Sequence, residues 1–223
     1  MKIGSEKAFF MNKHAHLLMV ILLICLSSPY INEIHPKIPV ITPVFILAVF
    51  FILRTLGVGK KLLWIVAGLG VLVFSLLTLL NFSLGASYTI PLSIALCSLY
   101  CVLLLLCIFF MSSKLFSSST VTIDTIAGGI NVYFLLGFVW AFVYYIIYCV
   151  DSGAFHFSST PCMTYFFIFS VSTLTTIGFG DMYPVNHWAM VLACLEGMTG
   201  QLYLAIFIAR LVSMYAQVKQ EKS

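Results

Sequence analysis

Charge is what this 223-residue sequence has least of: Asp, Glu, Lys and Arg together make up 8%, where soluble domains carry roughly 25%. From Leu62 to Ser113 there is no Asp, Glu, Lys, Arg or His at all. A water-soluble globular enzyme is excluded, because 62% hydrophobic residues leave too little polar surface to face water. The basic excess, 11 Lys and Arg against 7 Asp and Glu, is too small to build a nucleic-acid surface. The 7 cysteines form no C-x-x-C pair and have no histidine at metal-ligand spacing. They read as small apolar residues, with a Cys149–Cys162 bridge as the alternative for that pair.

What is present is a series of long apolar runs. At about 20 residues per helical span, the chain accommodates six: Leu17 to about Ile31, Ile38 to Leu53, Leu62 to Leu80, Ile90 to Met111, Ile130 to Val150, and Trp188 to about Tyr215. The polar, glycine-containing segment Asn81 to Thr89 separates the third from the fourth. The first run, behind a basic leader, also has the form of a secretory signal; a retained span is the reading adopted. Placing both termini on the cytoplasmic side puts ten of the eleven basic residues inside, with Lys37 alone outside, as the positive-inside bias requires. That places Asp151 to His187 on the outer face of a cell membrane.

This outer segment holds the informative residues. Ser159 or Thr160 ahead of Pro161 is a helix-start signal, and a helix over Pro161 to Leu174 would be about 21 Å long, short of the ~30 Å hydrocarbon core. It is expected to enter and return, leaving its carboxyl end, with its partial negative charge, at mid-membrane. Gly178 and Gly180 prevent the helix from continuing. Glycine accepts positive φ, so Thr176 to Gly180 can alternate backbone handedness and turn successive carbonyls to one side. Irregular backbone at that depth must be buried in protein or line a watery cavity.

The run Thr175-Thr176-Ile177-Gly178-Phe179-Gly180-Asp181 resembles the selectivity filter of potassium channels, and the resemblance extends over Ile130 to Tyr215. It implies an all-α membrane protein. Four peripheral transmembrane helices (1–117) and a linker (118–129) precede a two-helix pore domain (130–215) with a re-entrant pore helix and filter, and 216–223 form a short cytoplasmic tail. It implies K+ as the permeant ion, with no organic cofactor and no covalent chemistry. The carbonyls of Thr176, Ile177, Gly178 and Phe179, with the Thr176 hydroxyl, would form stacked ion sites ended by Gly180. Ile177 and Phe179 side chains would pack away from the pore. Ile and Phe stand where Val and Tyr are commoner, and Phe179 lacks the hydroxyl that often braces the filter. Thr175 and Asp181 would support it, the Asp181 carboxylate bracing the filter and concentrating cations. One filter segment per chain and no internal repeat imply a homotetramer with closed symmetry.

Other residues carry two readings each. Glu196, inside the sixth span, either accepts hydrogen bonds from re-entrant-helix hydroxyls such as Ser172 or Thr173 and supports the filter, or is protonated and tolerated. By resemblance Gly200, with Gly197 nearby, is the gating hinge; close packing on the re-entrant helix is the other explanation. Gln201, Leu204, Ile208 and Val212 share one helical face that could line the pore. His156 and His187 could sense protons or simply be solvated. Ile90 to Met111 contains no arginine, which argues against voltage sensing, and Ser93, Cys97 and Cys101 give it a small-residue stripe for close packing. Ser112 to Gly129 reads as an interfacial linker or an ordinary loop. Partners expected are membrane lipid, further copies of the chain and an unidentified regulatory ligand or subunit, but no nucleic acid. A poorly selective cation channel, a transporter and a non-conducting regulatory subunit are the rival functions.

Overall fold

The computed structural model describes residues 14–23, 86–117, 121–158 and 161–220, with Gly68 and Ser75 singly. The expected second and third spans, apart from those two residues, lie outside the described residues, as do the first span beyond Leu23, Ser159 and Thr160, and the last three residues. The elements are α1 (His14–Leu23), α2 (Ala86–Ser117), α3 (Ile123–Val150), β1 (Phe155–Phe157), α4 (Met163–Leu174), β2 (Met182–Pro184) and α5 (His187–Gln220).

α2 meets α3 along a stripe of buried residues, Cys97, Tyr100, Leu104, Cys107 and Met111, whose alternating three- and four-residue spacing keeps them on one face. The small-residue expectation holds there: Cys97 is buried, and the Cys101 thiol comes within 3.8 Å of the Val139 carbonyl. Tyr100 stacks on Phe142 across the same contact. Leu17 and Ile21 of α1 join this core. α1 starts against α3, where the Asp124 carboxylate accepts from the His14 backbone N–H and the buried Asn131 side chain donates to the His14 carbonyl, both at 2.8 Å.

α3 begins seven residues ahead of the expected Ile130, so the latter part of the expected linker is helical. The reason is local. Thr122 and Thr125 form a reciprocal capping box, which satisfies free N–H groups at the helix start, and Asp124 lies in the first turn, where a negative charge suits the helix dipole. α4 likewise departs from expectation. Its cap is Cys162, with no side-chain hydrogen bond, rather than a hydroxyl at 159 or 160. At 12 residues it is about 18 Å long, too short to cross.

α4 packs on α3 through aromatic rings: Phe138 stacks on Phe167, Tyr145 and Tyr148 meet Phe166, and Tyr144 meets Phe169 edge-on. Edge-to-face pairs of this kind contribute about 0.5–1.5 kcal/mol each beyond the area they bury. The antiparallel β1–β2 hairpin pairs Phe155 with Pro184, His156 with Tyr183 and Phe157 with Met182. It ties the chain entering α4 to the chain leaving the segment after it, and Phe155 and Phe157 turn into the same aromatic cluster. Asn186 caps α5 by accepting from the Ala189 N–H at 2.7 Å, while its amide donates to Asp151 at the end of α3.

Candidate functional site

α4 stops at Leu174, and its last four carbonyls, which no helix can satisfy internally, are all bonded. Val171 O accepts from the Thr175 N–H at 3.0 Å and the Thr175 hydroxyl at 2.7 Å. Ser172 O accepts from the N–H groups of Ile177 at 2.8 Å and Gly178 at 3.4 Å, and Thr173 O from that of Thr176 at 3.1 Å. Leu174 O accepts from the Tyr133 hydroxyl of α3 at 2.8 Å. The loop therefore spends its amide hydrogens backward, on the helix that precedes it. The carbonyls of residues 176 to 180 accept no hydrogen bond from any described residue.

The backbone of this loop alternates. Thr176 has φ 61°, Gly178 64° and Gly180 81°, so every second residue lies in the left-handed region. For the two glycines that costs little. For β-branched Thr176 it is an outlier that costs on the order of 1–3 kcal/mol, held in place by the bond from its N–H to Thr173 O. A Cβ added at Gly178 or Gly180 would meet no atom within 4 Å; conformation, not crowding, requires glycine there. Ile177 and Phe179 are 60% and 67% exposed, so the described residues leave most of each side chain uncovered.

Thr175 supports the turn by doubly bonding Val171 O. The Asp181 carbonyl accepts from the Ser158 N–H and hydroxyl, at 3.1 and 2.9 Å, which ties the main chain there to the residue after β1. Its carboxylate has no hydrogen-bond partner among the described residues. Glu196 is fully buried. Its partners are Tyr144 of α3 and Ser170 of α4, both at 2.5 Å, and not Ser172 or Thr173, whose hydroxyls turn back to Phe169 O. Sequence reasoning named the acid but missed both partners and Tyr133. A buried tyrosine needs a partner for its hydroxyl, which was the available signal.

Residues 102–217, just over half of the chain, match the model of a family described as ion channels. The chain belongs to the ion channel family. No curated protein and no solved structure matches it. The match contains α3, the β1–β2 pair, α4, the alternating loop and α5 as far as residue 217, and three of the channel's helices, Ile90–Ser117, Ile123–Val150 and His187–Ala216, are long and apolar enough to cross a membrane. Within the channel, Gly200 sits where an added Cβ would fall 2.5 Å from Leu174 O. That contact gives glycine at 200 a packing reason; a Cβ added at Gly197 would lie 3.8 Å from Thr173 O, an ordinary contact. Gln201, Leu204, Ile208 and Val212 are all exposed on the channel's α5. His156 stacks on Tyr183 across the hairpin, and His187 is exposed at the start of α5. Cys149 and Cys162 are both free thiols, so the alternative bridge is absent.

Proposed function

We propose that four copies of this channel assemble around a shared axis and conduct K+ selectively and passively across a cell membrane, with both termini cytoplasmic. The carbonyls of Thr176, Ile177, Gly178 and Phe179 and the Thr176 hydroxyl replace the water shell of the ion, Gly180 ends the row, and Asp181 stands at the outer mouth. One observation carries this reading: left-handed backbone at alternate residues 176, 178 and 180, with the N–H groups of 176 to 178 donated back to α4. Alternating handedness turns successive carbonyls to one side, where they can coordinate a cation. Selectivity follows from exchanging hydration for carbonyl dipoles, and throughput from repulsion between ions in adjacent sites.

Ring closure by four identical chains accounts for the exposed Ile177 and Phe179 side chains, which then meet neighbouring copies. The exposed Gln201, Leu204, Ile208 and Val212 of α5 suit an inner pore wall. Lipid covers the outward faces of α2 and α3.

The test is ion flux from liposomes containing the purified chain, under K+ and then Na+ gradients. K+ efflux is expected to exceed Na+ efflux, and Gly178→Ala is expected to abolish it. A side chain at φ 64° costs about 1–2 kcal/mol per copy, multiplied around the ring. Equal K+ and Na+ permeation would favour a poorly selective pore. Flux unchanged by Gly178→Ala, or a monomer in lipid, would overturn the proposal.

A further inference from the structure

Behind the alternating loop, four oxygen-bearing groups form a chain across three helices. The Tyr144 hydroxyl of α3 lies 2.5 Å from Glu196 Oε2 on α5, and Glu196 Oε1 lies 2.5 Å from Ser170 Oγ on α4. Ser170 Oγ in turn lies 2.8 Å from the Gly137 carbonyl on α3. Glu196 and Ser170 are both fully buried. Each of the three contacts is at hydrogen-bond distance, and each needs one proton between its oxygens.

Counting those protons bears on the state of the acid. Tyrosine and serine hydroxyls bring one each, and a main-chain carbonyl brings none. The Gly137 carbonyl can only accept, and the arrangement considered has Ser170 donate its single proton there. The contact between Ser170 Oγ and Glu196 Oε1 then lacks a hydrogen unless the carboxyl supplies it. An ionised Glu196 would leave two proton-free oxygens 2.5 Å apart in a low-dielectric interior, an arrangement with no attraction to hold it.

We propose that Glu196 carries a proton and, as a neutral acid, is the positioning residue that fixes α4, and with it the alternating loop, against α3 and α5. The bonds then run in one direction: Tyr144 donates to Oε2, Oε1–H donates to Ser170, and Ser170 donates to Gly137 O. The surroundings agree. The titratable groups facing Glu196 are Tyr144 and Tyr133 from α3, with Cys194 of α5 acting on Tyr144; α4 presents none beyond the Ser170 hydroxyl. Among the described residues no Lys, Arg or His pairs with it. The helix it anchors is the one whose final carbonyls hold Thr176, Ile177 and Gly178. The inference thus deepens the conduction reading and rests on it for its flux readout alone.

Raising the pH withdraws the proton; Ser170 then has one proton for two acceptors, Glu196 and Gly137 O, so one bond of the chain breaks, and a charge is left with no counter-ion among the described residues. Glutamine copies the neutral acid, its amide N–H donating to Ser170 and its oxygen accepting from Tyr144; leucine copies only the volume. Two measurements on the purified full chain test the idea. The first is the infrared carbonyl stretch of a protonated carboxylic acid at neutral pH, expected in the native chain and lost in Glu196→Gln. The second is K+ flux with the K+/Na+ permeability ratio from neutral to alkaline pH. The native chain should lose roughly tenfold in flux as the bond breaks, Glu196→Gln should stay flat, and Glu196→Leu should lose selectivity roughly tenfold at every pH. Absence of the acid band, or a Glu196→Gln variant that behaves like Glu196→Leu, would overturn the proposal. Should no form of the chain conduct, the conduction reading falls, and the infrared band still decides whether Glu196 holds its proton.

Discussion

α3 and α5 are both long apolar helices of the pore region, yet the chain treats them in opposite ways. In the most apolar window of α3, 44% of residues are buried within the chain; in that of α5 the figure is 11%. α3 is sandwiched, with α2 on one side and α4 and α5 on the other, so burial reaches around it from Thr125 to Tyr144. α5 touches its own chain along a single stripe that includes the buried Ala189, Glu196, Gly200 and Met214. Hydropathy therefore tells that a helix avoids water and not what covers it. In a membrane, lipid and protein are equally apolar, and packing complementarity decides between them. α5 shows that complementarity on its stripe, where a glycine admits Leu174 O and an acid receives two hydroxyls.

The comparison can be broken by truncating matched residues. Leu135 on α3 is fully buried, so Leu135→Ala should destabilise the folded chain by about 2–5 kcal/mol, read as a lowered thermal midpoint in detergent. Leu202 on α5 is 59% exposed, and Leu202→Ala should leave the midpoint of the separated chain unchanged. If copies cover it in the proposed ring, the loss shows as weaker assembly, read as more monomer in cross-linking. A fall in the separated chain's midpoint equal to that of Leu135→Ala would erase the distinction between the two helices.

A smaller effect sharpens the stripe. Gly200→Ala places a Cβ against the main-chain oxygen of Leu174, which cannot swing aside as a side chain would, and about 1–3 kcal/mol of overpacking follows. Because Leu174 lies two residues before Thr176, K+ flux should fall together with the thermal midpoint. Faster gating at unchanged stability would instead favour the hinge reading. The mildest change is Tyr133→Phe. It removes the hydroxyl that satisfies Leu174 O and should cost about 1 kcal/mol, with flux lowered and selectivity kept.

Much of the site could be read from residue order. The spacing of Gly178 and Gly180 permits alternate left-handed backbone over 176 to 180, and that is what the loop adopts. A helix too short to cross follows from the run that ends at Leu174. An acid amid apolar residues announces that it must find partners. The identity of those partners was not legible, because Ser170, Ser172 and Thr173 all lie within one turn and only the rotation of α4 about its axis decides which of them faces α5. The hairpin was hidden for another reason: three residues in each strand are too few to display an alternating pattern. The early start of α3 did leave a signal, Thr122 with Thr125 and Asp124, which a boundary drawn by hydropathy alone passes over.

Local chemistry, then, was set by the order of residues: which segments shun water, where the backbone must reverse hand, and which ionisable group is stranded among apolar neighbours. Those properties depend on a residue and its near neighbours along the chain. The tertiary structure decided that Tyr133 closes the last carbonyl of α4, that Ser158 holds the main chain at Asp181, and that Tyr144, Glu196, Ser170 and Gly137 stand in one line. Such contacts join residues from 23 to 52 positions apart, and they form only when the rotation and height of each helix are set by everything packed around it.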